Sequence, residues 1–113
     1  MECLFCGIAS GKVPTNVVYE DEKLIAFRDI QPQAPTHLVI IPKAHIFSLN
    51  ELRNEHQDLL GKLVLLAKDL ANKERIASKG YRLTVNCGNE GGQVIPHLHF
   101  HLLGGRKLND WLG

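Results

Sequence analysis

Apolar residues recur along this chain in two periods, and each change of period marks an element. Helical spacing dominates one stretch. Across Glu55–Arg75, Leu59, Leu63, Leu66, Ala67 and Leu70 recur at three- and four-residue steps, with Lys62, Lys68, Asp69, Lys73 and Glu74 at polar positions. This predicts the one long amphipathic helix. Asn54 is placed to cap it and Gln57 to complete a capping box. Elsewhere, short runs rich in β-branched and aromatic residues lie between turn signals and predict strands. Val17–Glu20 and Leu24–Arg28 form a hairpin across Asp21-Glu22-Lys23. His37–Pro42 is strongly apolar and is expected at the sheet centre, covered on both faces. Tyr81–Asn86 follows Gly80, and Leu98–Leu103 ends at Gly104-Gly105. Cys3–Ser10 predicts a short helical turn closed by Gly11. The two prolines of Ile30–Pro35, and Gly88, Gly91, Gly92 and Pro96 within Cys87–Pro96, predict loops. Together these make one α+β domain over residues 1–113, with a mainly antiparallel sheet.

The last strand carries the chain's most informative pattern. His97, His99 and His101 alternate with Leu98, Phe100 and Leu102. In a strand, alternate side chains share a face, so three imidazoles face one way and three apolar groups the other. Burying imidazoles without partners is costly, which points to chemistry. Two schemes fit. In one, the three histidines hold a catalytic zinc that activates water. In the other, the middle histidine is a nucleophile toward phosphorus, with one ring nitrogen free and the other donating a hydrogen bond.

The preceding loop, Asn86-Cys-Gly-Asn-Glu-Gly-Gly-Gln93, favours phosphorus. Its glycine-rich backbone offers amides that can cradle an anion. Far upstream, Cys3-Leu-Phe-Cys6 supplies two thiols. With two imidazoles they would complete a closed tetrahedral zinc site, and His45 and His97 are the candidate third and fourth ligands. His56 is expected to be a solvated helix residue and Cys87 a packing residue. Asp29, at a strand end, could accept hydrogen bonds from a sugar diol. Phe5, Ile8, Phe27, Ile30 and Val39 are core candidates, some of which could line a slot for a flat ring.

Composition narrows the partners. The chain has 113 residues, 44% of them hydrophobic, and 13 basic against 12 acidic side chains give a net charge of +1. That balance argues against nucleic-acid binding. No apolar run approaches the roughly 18–20 residues of a membrane span. The start lacks the basic and long apolar regions of a signal peptide, and an odd count of three cysteines suits a reducing compartment. A cytoplasmic location without membrane attachment is therefore expected.

His97-Leu-His99-Phe-His101-Leu-Leu resembles the histidine triad pattern. The stretch from Phe27-Arg-Asp29-Ile30 through Pro42-Lys-Ala-His45, and Gly104-Gly105-Arg106, resemble the Hint branch, the histidine triad nucleotide-binding proteins. The resemblance covers essentially the whole chain. It implies a HIT-like fold with a five-stranded antiparallel sheet, one long helix and a short N-terminal helix, paired into a homodimer with a ten-stranded sheet. It implies purine nucleotide ligands (AMP, GMP and their phosphoramidates) and a phosphoramidase that works through a nucleotidyl-histidine intermediate. A nucleotide-binding regulatory module and a diadenosine polyphosphate hydrolase are the alternatives.

On this resemblance His99 attacks the α-phosphorus, His101 contacts phosphate and supports proton handling, and His37 stands beside them. Asp29 holds ribose, with Ile30 against the base. Asn86, Gly92, Gln93 and Val94 lie at phosphate-contacting positions. Cys3, Cys6, His45 and His97 match the zinc ligands of a bacterial-type subset, in which the metal is structural and not required for catalysis. Two departures stand out. Val94 replaces a serine of animal members, which removes a hydroxyl contact, and the tail Lys107–Gly113, with Trp111, differs from the family's.

Overall fold

The computed structural model describes residues 3–112; Met1, Glu2 and Gly113 lie outside the described residues. The elements run α1 (Leu4–Ala9), β1 (Val17–Glu20), β2 (Leu24–Arg28), β3 (Thr36–Pro42), α2 (Gln57–Lys73), β4 (Tyr81–Val85) and β5 (Phe100–Gly104), with short 3-10 turns at Leu49–Glu51 and Asn54–His56. The five strands form one sheet in the order β1-β2-β3-β5-β4, and every neighbouring pair is antiparallel. No helix among the described residues is long and apolar enough to cross a membrane.

Local chemistry explains the joints. The β1–β2 turn is held by the Asp21 carboxylate, which accepts the Lys23 and Leu24 amides at 2.8 Å each; this is an Asx turn. The α1 helix stops at Ser10, and Gly11 follows with φ +82°, the left-handed conformation that favours glycine after a helix end.

β3 is central and buried along its whole length. One face of the sheet meets α2, where Leu24, Leu38, Ile40 and Leu102 pack on Leu63, Leu66, Ala67 and Leu70. The other face meets α1, where Ile25, Phe27, Val39 and Ile41 pack on Phe5 and Ile8. Truncating a core residue such as Leu63, which is fully buried, costs about 2–5 kcal/mol.

Three expectations need correction. Asn54 is not the cap of the long helix. It opens a 3-10 turn, and α2 begins at Gln57 with no side-chain cap bond from His56. His56 is half-buried rather than solvated, because its Nδ1 accepts the Arg53 amide at 2.9 Å. Ile30 is not core. It is 89% exposed, because it lies just beyond the β2 ladder, whose last pair is Arg28 with Leu38.

Candidate active site

The register assembles the site. Phe27 pairs with Val39, Val39 with His101, and His101 with Thr84, so Phe27, Val39 and His101 form one row on the α1 face. His37, opposite Leu103, shares that face and is the diagonal neighbour of His101. The β5 ladder starts at Phe100, so His97, Leu98 and His99 lie outside it. Other bonds hold them. Leu98 N–H donates to the Ile46 carbonyl at 2.6 Å, and His97 Nε2 donates to the Pro42 carbonyl at 2.8 Å.

The three triad histidines have different partners. His97 is fully buried. Its Nε2 carries the proton given to Pro42, so its Nδ1 lone pair faces Cys3 Sγ at 3.4 Å and Cys6 Sγ at 3.5 Å. Cys6 Sγ also lies 3.1 Å from His45 Nδ1. The four donor atoms sit within 4.8 Å of one another. Burial pushes the His97 pKa down, against the pull of its bond to Pro42. Burial and the neighbouring Cys3 push the Cys6 thiol up. Two sulfurs and two imidazoles, one already presenting a bare nitrogen, are a donor set suited to a tetrahedral metal ion.

His99 Nδ1 donates to the His97 carbonyl at 2.7 Å. A carbonyl only accepts, so the neutral ring carries its proton on Nδ1 and its lone pair on Nε2. Phe5 meets the His99 ring edge-on at a centroid distance of 5.1 Å and fixes its plane from the α1 side. His99 and His101 are 5.0 Å apart, ring to ring.

His101 belongs to a polar chain. The Gln33 amide donates to His37 Nδ1 at 3.1 Å, so the His37 proton is on Nε2. That nitrogen lies 2.8 Å from His101 Nδ1 and 3.5 Å from Asp29 Oδ2. His101 Nδ1 is therefore an acceptor, and its own proton is on Nε2. Burial lowers the His101 pKa to about 4; His99 and His37 add to the effect and Asp29 opposes it. Burial also lowers His37, again with Asp29 opposing. Both rings are neutral near pH 7. Asp29 is itself held: its Oδ1 accepts the Gln31 amide at 2.8 Å, and its N–H donates to the His37 carbonyl at 3.0 Å.

These groups line a cleft of about 470 Å³. Phe5 and Ile8 come from α1, and Phe27, Asp29 and Ile30 from β2 and its exit. His37 and Val39 come from β3, Asn86, Gly92 and Val94 from the glycine loop, His99 from the approach to β5 and His101 from β5 itself. Gln93 is the one expected nucleotide contact that does not line it. Its carboxamide accepts the Gly88 amide at 3.0 Å and donates to the Phe47 and Ile95 carbonyls at 2.7 and 3.0 Å. The Gly92 and Gln93 amides are likewise bonded within the loop, to the Asn89 and Gly88 carbonyls at 3.1 and 3.0 Å. Asn86 Nδ2 ties the loop to the Gly91 carbonyl at 2.8 Å. The Val94 amide has no partner among the described residues, and its side chain is 85% exposed.

Several lining residues carried no signal in the sequence. Val13, Pro14 and Thr15 reach the cleft because the chain turns back after α1, and Arg28 because it ends β2. Arg28 is clamped by Glu74 through two bonds of 2.8 and 2.9 Å. Their sequence separation of 46 residues hides that pairing.

A HIT domain model matches residues 10–108. The chain belongs to the HIT domain family. It is 45% identical to the purine nucleoside phosphoramidase of Escherichia coli strain K12 over 111 residues, 98% of this chain and 93% of that protein. An uncharacterized HIT-like protein of Synechococcus elongatus is 48% identical over 107 residues, 95% of this chain and 93% of its own. The HIT family hydrolase from Legionella pneumophila Philadelphia 1 has the same fold at a TM-score of 0.97 and 49% identity, covering 99% of this chain and 100% of that one. A histidine triad protein from Clostridium difficile follows at 0.94 and 38%, covering 98% and 96%. The HIT fold expected from the sequence is thus the observed one.

Proposed function

We propose that this HIT domain hydrolyses purine nucleoside phosphoramidates through a nucleotidyl intermediate on His99. The observation that carries the reading is the 2.7 Å bond from His99 Nδ1 to the His97 carbonyl, which leaves an unprotonated Nε2 at a nucleoside-sized cleft. The 45% identity to a purine nucleoside phosphoramidase supplies the substrate class.

In the first step His99 Nε2 bonds to the α-phosphorus and the phosphorus–nitrogen bond breaks. The Nδ1 proton stays on the ring, and the His97 carbonyl stabilises the cationic adduct. The departing nitrogen must take up a proton. That proton comes from solvent, because His101 is neutral and its Nδ1 already accepts from His37 Nε2 at 2.8 Å; its Nε2–H donates to a phosphoryl oxygen. In the second step a water oxygen attacks phosphorus and the bond to Nε2 breaks. The water's proton goes to solvent, and a nucleoside monophosphate leaves. The net reaction consumes one water and releases an amine.

The remaining residues bind. Asp29 accepts from the ribose hydroxyls, while Phe5, Ile8, Phe27 and Val39 make an apolar slot for the base, with Ile30 at its rim. Asn86 and the Val94 amide meet the phosphate oxygens; Gln93 acts by shaping the loop. Cys3, Cys6, His45 and His97 would hold a zinc ion that ties α1 to the sheet, a structural role with no part in the chemical steps. A ten-stranded sheet forms if the β4 edge pairs with that of a second copy. A catalytic metal on all three triad histidines is disfavoured, because their lone pairs face different partners.

The test is turnover of adenosine and guanosine phosphoramidates alongside diadenosine polyphosphates, with His99→Ala as the comparison. Turnover of the phosphoramidates that His99→Ala abolishes is the expected result. Tight AMP binding without turnover of any of them would favour a regulatory nucleotide-binding module.

A further inference from the structure

The polar chain behind His101 does not end at Gln33. The Gln33 carbonyl accepts from Arg106 Nη2 at 2.8 Å, and Nη1 of the same guanidinium donates to the Lys107 carbonyl at 3.0 Å. One side chain thus bridges the Ile30–Pro35 loop and the segment leaving β5. The backbone is shaped for this approach. Gly105 has φ +95°, and a Cβ there would lie 2.8 Å from Pro35 Cβ. Arginine suits the task because its planar fork reaches two acceptors at once, which a lysine ammonium does not.

The latch bears on the direction of the histidine chain. A neutral imidazole carries one N–H, and two linked imidazoles have two arrangements. Either His37 Nε2–H points at His101 Nδ1, or His101 Nδ1–H points at His37 Nε2. The Gln33 amide can only donate. Seated on His37 Nδ1, it enforces the first arrangement, and Asp29 Oδ2 at 3.5 Å favours the same one more weakly. If Gln33 moves away, His37 can take its proton on Nδ1 and the pair can reverse. His101 Nε2 would then be a bare lone pair facing an anionic phosphate, beside the lone pair of His99.

We propose that Arg106 is a positioning residue: by holding Gln33 it selects the tautomers of His37 and His101 and keeps an N–H, not a lone pair, turned toward the substrate's phosphoryl oxygens. The consequence for turnover rests on the phosphoramidate reading. The tautomer selection is a property of the resting protein and does not.

The test combines ring-nitrogen NMR of histidine-labelled protein, without ligand, with steady-state kinetics on an adenosine phosphoramidate. The unaltered protein is expected to show protonated Nε2 on His37 and His101. Arg106→Met should add the Nδ1-protonated form at both rings and lower kcat about tenfold, with KM changed less than about twofold. Arg106→Lys should recover part of both effects. If Arg106→Met does not fold, Arg106→Ala takes its place and is read by the same two measurements. Unchanged ring tautomers in a folded Arg106→Met protein overturn the proposal. Tautomers that shift in a protein with no phosphoramidate turnover uphold the latch and sink the phosphoramidate reading instead.

Discussion

His97 gives its backbone carbonyl to His99 Nδ1 at 2.7 Å while its ring faces Cys3 and Cys6. One residue therefore joins the thiol cluster to the imidazole that faces the cleft. Anything that fixes His97 also fixes the tautomer and plane of His99. Coupling between the cluster and turnover is the first consequence.

Removing metal from the cluster should loosen α1 and lower stability. A metal present at a thousandfold excess over its Kd stabilises the fold by about 4 kcal/mol. We expect the unaltered protein to bind zinc in metal analysis, Cys3→Ser/Cys6→Ser to lose it with a lower melting temperature, and His99→Ala to keep it. Zinc retained without the cysteines but lost in His99→Ala would place the metal on the triad instead.

Acid should weaken the fold through His101. Its pKa lies near 4 when folded, against about 6.5 when unfolded. Between those values the unfolded chain binds more protons, so stability rises with pH across the window and is lost as pH falls from about 6.5 toward 4. The full shift is worth at most about 3 kcal/mol. His37, also lowered by burial, acts in the same direction. Urea unfolding at several pH values should show a shallower slope for His101→Gln than for the unaltered protein; equal slopes would contradict the assignment.

Phe5 joins core and cleft. It meets Phe27 at 5.5 Å as well as His99 at 5.1 Å, both edge-on. Phe5→Ala should cost about 3 kcal/mol in unfolding free energy and raise KM for a purine nucleotide, as measured by denaturant titration and kinetics. Phe5→Leu, which keeps most of the apolar volume, should recover most of the stability.

Glu74 clamps Arg28 at the exit of β2 and is held below the usual carboxylate range by that guanidinium. The Arg28 side chain is partly exposed, so the pair is worth about 1 kcal/mol or less. Glu74→Gln should show that loss in denaturant unfolding. A loss several times larger would mean the clamp sets the path of Asp29 as well.

Much of this was legible in the sequence because period and pairing agree. The apolar run within His37–Pro42 pointed to a central strand, and β3 is buried along its length; alternation from His97 put the imidazoles on one side. The Cys3-Leu-Phe-Cys6 pair and the family resemblance brought Cys3, Cys6, His45 and His97 together on paper, and the fold places their donor atoms within 4.8 Å of one another. What escaped was set by tertiary bonds. The glycine loop looked like an open cradle, yet the Gly92 and Gln93 amides close on the loop itself. The alternation suggested a strand from Leu98, yet the ladder starts at Phe100 because Pro42 and Ile46 hold His97 and Leu98 by other bonds. Arg106 and Gln33, 73 residues apart, carry no local pattern at all.

The central claim is a covalent bond between His99 and phosphorus, and stereochemistry at phosphorus tests it most directly. An adenosine phosphoramidate made chiral at its α-phosphorus should be hydrolysed with retention of configuration, since two in-line displacements each invert it. Net inversion would mean that water attacks directly and that His99 is not the nucleophile.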